Sequence, residues 1–250
     1  MGNRLENRKA LITGGSRGIG RAIALAFAAE GCDLFFCHWK DPENATVTQS
    51  KIEQMGRQVG AIEANVADEA SVTNLVTEAT RFLGQIDILV NCAGIGGDVS
   101  FEAITPTAWD EMINVHLRGT FLVTHACYTG MAAQGGGRII NIASQLAYKG
   151  APQLSHYCAA KAGIIGFTRA LSYEAVSKGI LVNAIAPGPT ETDMLAGLTD
   201  EWRAMKLAQL PIGRFGQPEE IAPTAVMLAS SDGNFYVGQT LSPNGGDVML

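Results

Sequence analysis

The sequence predicts an α/β protein with a doubly wound parallel sheet that carries helices on both faces. Short apolar runs alternate with longer helical stretches from end to end. No linker, repeat or shift in composition divides the 250 residues, so 1–250 is predicted to be a single domain. With 47% hydrophobic residues, the chain can bury the core that a domain of 250 residues needs. Ligands of such sheets bind outside the carboxyl ends of the strands, so the residues that directly follow each strand are the functional candidates.

Four strands are predicted in the first half of the chain, because short apolar runs between turn residues favour strands over helices. They lie at 9–13, 34–38, 58–64 and 87–91. The three helices between them are predicted at 19–30, 42–55 and 69–83. Pro42 suits a first helical turn, Asp68 is a good N-cap, and Gly84 ends the third helix.

The second half of the chain continues the alternation. One long helix is predicted at 106–133, and the three glycines at 135–137 end it. Strands follow at 138–143, 180–186 and 239–242, and helices at 155–177 and 218–230. The segment 187–211 is predicted to be irregular, with room for one short helix.

Composition and charge exclude several functional classes. A formal net charge of −6 without a run of Lys or Arg argues against nucleic acid and anionic membranes as partners. The longest apolar stretch, 22–29, is far shorter than the ~18 residues of a membrane-spanning helix, and the polar start at 1–9 does not resemble a secretion signal. Five cysteines without a C-x-x-C pair and four scattered histidines predict reduced thiols, a cytoplasmic location and no metal site.

A glycine-rich loop, Thr-Gly-Gly-Ser-Arg-Gly-Ile-Gly at 13–20, follows the first predicted strand. Glycines let the backbone approach a pyrophosphate, and the helix that follows presents free N–H groups to phosphate. A glycine-rich turn without a ligand is the alternative, but the position after the first strand favours a dinucleotide site. The residues that the loop would contribute are Gly14, Ser16, Arg17, Gly18, Ile19 and Gly20.

Four polar residues are candidates for catalysis. Tyr157 and Lys161 share one face of a predicted helix, and the ammonium is expected to lower the pKa of the phenol by ~1–3 units, which makes a usable general acid or base. Ser144 directly follows the fifth predicted strand, where a substrate carbonyl would lie. Asn114 interrupts an apolar helical stretch, which suggests that it holds a water. The alternatives are a surface Tyr–Lys pair, a serine that caps a turn, and an asparagine bonded within the core.

Taken together, these features resemble the short-chain dehydrogenases/reductases, in their single-domain branch with a Rossmann-type fold. The resemblance covers essentially the whole chain, with its motifs in the right order. The motifs are Thr13-Gly14-x-x-x-Gly18-Ile19-Gly20, Asn91-x-Ala93-Gly94, Asn114, Ser144, Tyr157-x-x-x-Lys161, Pro187-Gly188-x-Thr190-x-Thr192 and Asn244-Gly245-Gly246. The overall pattern, including 187–194, is similar to that of 3-oxoacyl-carrier-protein reductases.

The resemblance implies a role for each residue of the site. Tyr157 would be the general acid/base, Ser144 would polarise the carbonyl, and Lys161 would hold the nicotinamide ribose. Asn114 would anchor a water in a proton relay. Asn65 and Val66 would lie near the adenine, although the family commonly has Asp at position 65. Further contacts would come from Asn91, Ala93 and Gly94 on the adenosine side and from Pro187, Gly188, Thr190 and Thr192 on the nicotinamide side.

The end of the second predicted strand indicates which dinucleotide binds. An acidic side chain there would favour NAD by binding the ribose 2′-OH, but the position is occupied by His38. Arg17 and Lys40 could pair with a 2′-phosphate, so NADP(H) is favoured over NAD(H). Asp41 would reverse this preference if a shift in strand register let its carboxylate reach the ribose.

Several substrate classes stay open. The resemblance implies a 3-oxoacyl thioester, but of two positions that dock an acidic carrier protein only Lys178 is basic, and the other is Gly135. A small ketone, a polyol, a sugar or a CoA-linked oxoacyl group is an alternative, as is a protein that senses NADP without turnover. Apolar side chains at 189–211 predict a substrate lid, or else an ordinary packed helix. The family's long helices usually form dimers or tetramers, which implies a homo-oligomer.

Overall fold

Seven strands form one parallel sheet in the computed structural model, which describes residues 3–249. Their bounds are β1 Lys9–Thr13, β2 Asp33–His38, β3 Val59–Glu63, β4 Ile88–Asn91, β5 Gly137–Ile142, β6 Ile180–Ile185 and β7 Thr240–Leu241. Across the sheet the order is β3-β2-β1-β4-β5-β6-β7. The chain builds outward from β1 to β3, crosses to the other side of β1, and continues outward from β4. Ligands of such sheets bind in the crevice where the direction reverses, here between β1 and β4.

Helices cover both faces of the sheet. Their bounds are α1 Gly18–Ala29, α2 Pro42–Gln54, α3 Glu69–Leu83, α4 Pro106–Ile113, α5 Gly119–Ala133, α6 Leu146–Lys149, α7 Ser155–Ala175, α8 Asp193–Ala196, α9 Asp200–Gln209 and α10 Pro218–Ala229, with short 3-10 turns at Phe101–Ala103, Val176–Lys178 and Ser231–Gly233. Between α4 and α5, Asn114–Arg118 form a π-helical turn within an otherwise continuous helix. Asp68 caps α3 as predicted, because its carboxylate accepts the N–H of Ser71 at 2.7 Å.

Two hydrophobic cores lie on opposite faces of the sheet, because successive strand residues point in opposite directions. Ile12 and Phe36 are fully buried in the core that α1 and α10 cover. Their neighbours Leu11 and Phe35 belong to the core under α3 and α5. Burial on both faces explains why these strands are continuous apolar runs rather than alternating ones.

The predicted fold class and element order are confirmed; the structure adds the short helix α6, which was not predicted, and differs from the prediction in two further segments. The predicted helix at 106–133 is present but contains the π turn. The segment 187–211 is more regular than predicted, since it contains both α8 and α9. Thr199 begins α9 by accepting the N–H of Trp202 on its hydroxyl at 3.2 Å, a helix-start signal that the sequence analysis overlooked. Strand ends differ by one residue; β5, for example, begins at Gly137.

Membrane spans and disulfides can be checked directly in this fold. Within residues 3–249, no helix has the length and apolar character needed to cross a membrane. All five cysteines are free thiols. Cys32, Cys37 and Cys127 are buried, and the other two are partly buried.

Candidate active site

The glycine loop joins β1 to α1 and keeps its backbone accessible. Gly14 and Gly18 have positive φ angles of 70° and 56°, which glycine adopts without strain. A Cβ on Gly20 would lie 2.1 Å from the carbonyl oxygen of Gly14, so no side chain fits there. Ile19 packs against the core beneath the loop. Because the N-cap residue Arg17 makes no side-chain capping bond, the first N–H groups of α1 remain available to an anion.

Asp41 is held against the glycine loop by its own protein partners. Ser16 donates a hydrogen bond to one of its carboxylate oxygens at 2.8 Å, and Asn44 donates to the other at 2.8 Å. Nε of Arg17 lies 3.7 Å from the same carboxylate. Burial by itself would raise the pKa of Asp41, but these hydrogen bonds and the charge of Arg17 lower that pKa below its ordinary value. The carboxylate is therefore ionised and already hydrogen-bonded.

His38 ends β2 at the position that the sequence analysis gave it. The residue is buried, and its Nδ1 accepts the N–H of Asp41 at 3.3 Å. The register of β2 is not shifted, so the shift that would have redirected Asp41 does not occur. Trp39 and Lys40 are exposed beyond the strand, with Nζ of Lys40 5.2 Å from the Trp39 ring centre. Lys40 and Arg17 place two cations at this edge of the crevice.

Thr13 fastens the glycine loop to the loop that follows β4. Its Oγ1 accepts the N–H of Cys92 at 3.0 Å and the N–H of Ala93 at 3.1 Å. A Cβ on Gly14 would lie 3.0 Å from Cα of Ala93, so the two loops are in contact. Gly94 follows directly and packs against the ring of His116, where a Cβ would lie 2.5 Å from Cε1. The structure therefore brings Ala93 and Gly94 to the crevice.

Asn91 ends β4 as predicted, and its side chain is hydrogen-bonded inside the protein. Its side-chain amide donates to Oδ1 of Asn141 at 2.8 Å and to the hydroxyl of Thr124 at 2.9 Å. Asn141 in turn donates to the hydroxyl of Thr168 at 2.9 Å, and all four residues are buried. The side chain of Asn91 thus ties β4 to β5 and α5 inside the protein, and the adenosine contact expected of Asn91 stays a prediction.

Asn65 and Val66 follow β3 and point to different surroundings. Oδ1 of Asn65 accepts the N–H of Ala67 at 3.0 Å, which leaves the amide hydrogens to face a ligand. Val66 is buried against Gly119, where a Cβ would lie 2.9 Å from a Val66 methyl carbon. Asn65 remains a candidate for an adenine contact, whereas the side chain of Val66 belongs to the interior.

Ser144, Tyr157 and Lys161 come together at the carboxyl end of β5. Oγ of Ser144 accepts the N–H of Leu146 at 3.1 Å, so this serine does bond its own turn, but its hydroxyl hydrogen stays free to be donated. The phenol of Tyr157 lies close enough for the Ser144 hydroxyl to act on its pKa. Nζ of Lys161 donates to the carbonyl oxygen of Ile142 at 2.7 Å and lies 5.6 Å from the Tyr157 ring centre.

The pKa of Tyr157 shifts in the opposite direction to the one expected. Burial raises the pKa of Tyr157 to about 12, and the nearby Ser144 hydroxyl only partly counteracts this. Lys161 is not among the groups that shift the pKa of Tyr157, so the lowering expected from its ammonium does not occur in the cofactor-free protein. Burial also lowers the pKa of Lys161 to about 8. At neutral pH the phenol therefore keeps its proton, which suits a proton donor.

The π turn brings His116, rather than Asn114, against Tyr157. The rings of His116 and Tyr157 meet edge to face, with their centroids 5.3 Å apart. Asn114 lies two positions earlier, which turns it to another side of the helix, and it is only half-buried. The water-holding role expected of Asn114 stays a prediction. The sequence analysis missed His116 because nothing near it in the sequence indicates a partner.

The residues predicted on the nicotinamide side, Pro187, Gly188, Thr190 and Thr192, follow β6 in one ordered segment. The hydroxyl of Thr190 donates to the carbonyl oxygen of Gly188 at 3.0 Å, and that of Thr192 donates to the carbonyl oxygen of Thr190 at 3.3 Å. The methyl group of Thr192 would lie 3.4 Å from a Cβ on Gly18. This segment therefore reaches from the end of β6 to the glycine loop.

Helix α8 lies across the crevice. Arg17 of the glycine loop donates to the carboxylate of Asp193 at 3.1 Å. On the other side, Met194 approaches the loop after β4, where a Cβ on Gly96 would lie 3.0 Å from its Cγ. Farther along, Leu195 and Phe215 are buried in a small cluster that is separate from the two sheet cores.

A buried carboxylate near the end of the chain joins α9 to the segment that carries Ser144. Asp247 accepts hydrogen bonds from Lys206 of α9 at 2.6 and 2.7 Å, from Lys149 of α6 at 2.8 Å, and from Gln145. Burial by itself would raise the pKa of Asp247, but these partners lower it below its ordinary value. The sequence analysis missed this cluster, since its lysines lie 98 and 41 residues away from Asp247.

Residues 14–247 match a family model described as enoyl-(acyl carrier protein) reductase. The chain is 40% identical over 242 residues to the 3-oxoacyl-[acyl-carrier-protein] reductase FabG of Staphylococcus aureus, with 97% of this chain and 98% of that protein covered. It is also 40% identical over 244 residues to the acetoacetyl-CoA reductase of Rhizobium meliloti, with 97% and 99% covered. The solved structure of a short chain dehydrogenase from Burkholderia cenocepacia in complex with NADP is similar, with a TM-score of 0.92, 34% identity, and 98% and 99% of the two chains covered.

Proposed function

Because the chain belongs to the short-chain dehydrogenase/reductase family and is an NAD(P)-dependent oxidoreductase, we propose that it reduces the keto group of a 3-oxoacyl thioester with NADPH. The observation that carries this proposal is that the Ser144 hydroxyl lies close enough to the phenol of Tyr157 to act on its pKa. A hydroxyl that is free to donate lies beside a phenol that keeps its proton, and a carbonyl oxygen would accept from both. Two relatives are named for reducing oxoacyl groups on carrier protein and on CoA, which supports the substrate class.

The residues around the glycine loop fit a dinucleotide. A Cβ on Gly20 would strike the carbonyl oxygen of Gly14, so the loop stays narrow enough for a pyrophosphate to lie against its backbone. The N–H groups at the start of α1 are uncapped, and Arg17 and Lys40 supply positive charge beyond them. Asn65, Ala93 and the threonines of 187–192 would border the remaining length of the crevice.

The reduced nicotinamide supplies a hydride to the substrate carbonyl carbon when it is bound. Ser144 donates its free hydroxyl hydrogen to the carbonyl oxygen and orients it. Tyr157 gives its phenolic proton to the same oxygen as the alcohol forms. Lys161 uses one N–H to bind the Ile142 carbonyl, would direct another at the ribose hydroxyls, and would stabilise the phenolate by its charge.

The proposed reaction is tested by measuring the rate of NADPH or NADH oxidation with several carbonyl compounds. The purified protein is given NADPH or NADH with acetoacetyl-CoA, acetoacetyl carrier protein, simple ketones or polyols, and the nicotinamide absorbance is followed. We expect the thioesters with NADPH to have the highest kcat/KM. A polyol or simple ketone that exceeds both thioesters by about tenfold, which corresponds to 1.4 kcal/mol, would contradict the substrate class. Cofactor binding without turnover of any compound would indicate a sensor.

Arg17→Ala is expected to raise the KM for NADPH by about tenfold while changing the KM for NADH by less than about twofold, because Arg17 would pair with the 2′-phosphate that NADH lacks. The measurement is the ratio of the two KM values. Asp193→Asn is the matched control, since it removes the 3.1 Å ion pair of Arg17 but leaves the guanidinium in place, and the ratio should stay unchanged. An equal rise in both KM values would argue against phosphate recognition by Arg17.

The segment 189–211 is proposed to be a substrate lid. Helix α8 lies over the crevice and is held at the glycine loop by an exposed ion pair between Arg17 and Asp193. The segment packs on its own small cluster, with Trp202 stacked on Phe215 at a centroid distance of 6.4 Å. Contacts of this limited extent allow a segment to open without unfolding the sheet. Asp247 would then hold the closed position through Lys206.

Asp247→Asn is expected to loosen this lid. The substitution leaves Lys206 buried without an anionic partner, which costs about 1–3 kcal/mol and increases local opening of α9 by about 5- to 160-fold. Amide hydrogen exchange measures the change, and faster exchange should appear in 189–211 and in α6, whose Lys149 loses the same partner. Asp232→Asn, at an exposed ion pair with Arg4 at 3.8 Å, is the control and should change nothing in α9. If amide hydrogen exchange in α9 is the same in Asp247→Asn as in the wild type, Asp247 does not hold the lid closed through Lys206.

The remaining expectations concern assembly and location. A homo-oligomer that packs on α5 and α7 would cover Phe121 and Tyr173, which are 45% and 85% exposed.

Gly135 and Lys178 lie at the amino ends of β5 and β6, opposite to the edge that carries Tyr157. A carrier protein docked there would not present its thioester to the same chain, which favours CoA-linked substrates or delivery to a neighbouring subunit. Five free thiols support a cytoplasmic location.

A further inference from the structure

His116 is a buried polar residue at the centre of the site, and the mechanism above does not use it. Its side chain lies in the π turn between α4 and α5 and is 2% exposed. Turns of this type often occur at functional sites, because the extra residue redirects side chains that a regular helix would point elsewhere. The ring contacts Tyr157 edge to face, at an interplanar angle of 87°. It also fills the space beside Gly94, so it bridges three parts of the site.

Hydrogen bonding assigns the tautomer of His116. Nε2 lies 2.9 Å from the carbonyl oxygen of Ile95 and 3.2 Å from the N–H of the same residue. The two contacts require opposite tautomers, and we assign the proton to Nε2 because the carbonyl is the nearer partner, which makes Nδ1 an acceptor. Nδ1 is buried and has no hydrogen-bond partner within residues 3–249. Because buried polar atoms are nearly always hydrogen-bonded, we expect Nδ1 to accept a hydrogen bond from a nearby donor.

Lys161 is a buried donor beside the same tyrosine, since its Nζ lies 5.6 Å and the His116 ring centre 5.3 Å from the Tyr157 ring centre. One of its three N–H groups binds the carbonyl oxygen of Ile142, which leaves two for other acceptors. Burial, and after it the charge of Lys161, lowers the pKa of His116 to about 3, so the ring is neutral and its Nδ1 lone pair is available. His156 is the other titratable group that acts on this pKa, and it also lowers it.

We propose that His116 is a positioning residue for Tyr157 and Lys161: Nε2 holds the loop at Ile95, and Nδ1 accepts a hydrogen bond that reaches it from the Lys161 ammonium through one bridging water. This inference rests on the proposed function, since it takes Tyr157 and Lys161 as the reacting pair. The bridge would keep the ammonium directed at the crevice and would connect the phenol to a buried proton path.

Three substitutions separate the two nitrogens from the packing of the ring. His116→Asn places an amide at the position of Nδ1, His116→Gln places one near Nε2, and His116→Phe keeps the edge-to-face contact without either nitrogen. A hydrogen bond to a charged group is worth about 1.5–3 kcal/mol. We therefore expect kcat to fall at least about tenfold in His116→Gln and His116→Phe, which lack an acceptor at the position of Nδ1. The fall should be clearly smaller in His116→Asn, which keeps one. The KM for NADPH should change by less than about twofold. His125→Asn, at an exposed histidine of α5, is the control and should keep the wild-type kcat.

A second readout does not depend on turnover. Nitrogen-15 NMR of the histidines in the cofactor-free protein should show His116 protonated on Nε2 and should show no titration between about pH 5 and 8, where an ordinary histidine titrates. A proton on Nδ1, titration in that range, or equal kcat losses in all three variants would overturn the inference. If wild type reduces no carbonyl compound, the proposed function fails, whereas the NMR result still decides the tautomer and the acceptor at Nδ1.

Discussion

Tyr157→Phe is expected to lower kcat for carbonyl reduction by about 100- to 10,000-fold, the range over which a positioned general acid contributes to catalysis. The substitution removes one oxygen and keeps the ring, so the edge-to-face contact with His116 and the shape of the crevice should persist. Steady-state kinetics measures kcat, and fluorescence titration measures the dissociation constant of NADPH. That constant should change by less than about threefold, a difference below 1 kcal/mol.

The control for this substitution lies on the same helix. Tyr173 is 85% exposed near the end of α7, and Tyr173→Phe should leave both kcat and cofactor binding at the wild-type values. If Tyr157→Phe kept more than a tenth of the wild-type kcat, the proton would have to come from another group, and the partly buried thiol of Cys158 beside it would be the first to examine. A loss of NADPH binding equal to the loss of kcat would instead assign Tyr157 to the cofactor.

The fold could be predicted from sequence because its signals are local. Apolar runs such as β1 and the glycines that follow it act within a few residues of chain, and these signals set both the element type and its order. The π turn at Asn114–Arg118 could not be predicted in this way, since it depends on how the helix packs against α7 and not on a distinctive residue. Helix α9 was within reach, because Thr199 is a recognisable N-cap.

The places of Tyr157 and Lys161 in the fold were predicted better than their pKa values. Spacing correctly placed Tyr157 and Lys161 on one helical face, but it contains no measure of burial, and burial reverses the expected shift in the pKa of the phenol. Long-range partners were also hidden. The side chain of Asn91 bonds to Asn141, 50 residues later, so a residue assigned to ligand binding is used in the interior. Desolvation and distant hydrogen bonds are properties of the packed chain, and a single sequence does not display them.

Lys161→Met is expected to lower kcat/KM by about 100- to 1,000-fold, the usual cost of removing one preorganised electrostatic contact, and yet to stabilise the cofactor-free protein. Burial lowers the pKa of Lys161 from 10.5 to about 8, and at 1.36 kcal/mol per pKa unit the buried ammonium costs roughly 3 kcal/mol at neutral pH. Loss of the hydrogen bond to Ile142 offsets about 1 kcal/mol of the gain. The net gain of about 1–2 kcal/mol should raise Tm by about 2–8 °C.

The pH dependence of this difference gives the sharper test. Because the pKa of Lys161 is lower in the folded protein, the unfolded chain binds more protons between about pH 8 and 10.5, and wild-type stability gains from this residue as pH rises through that window. Lys161→Met lacks this contribution, so its advantage should be full below pH 8 and should vanish toward pH 10.5. Lys51→Met, at an exposed position of α2, should show no such convergence. An advantage that stayed constant with pH would mean that methionine stabilises by packing and that the ammonium is not penalised by burial.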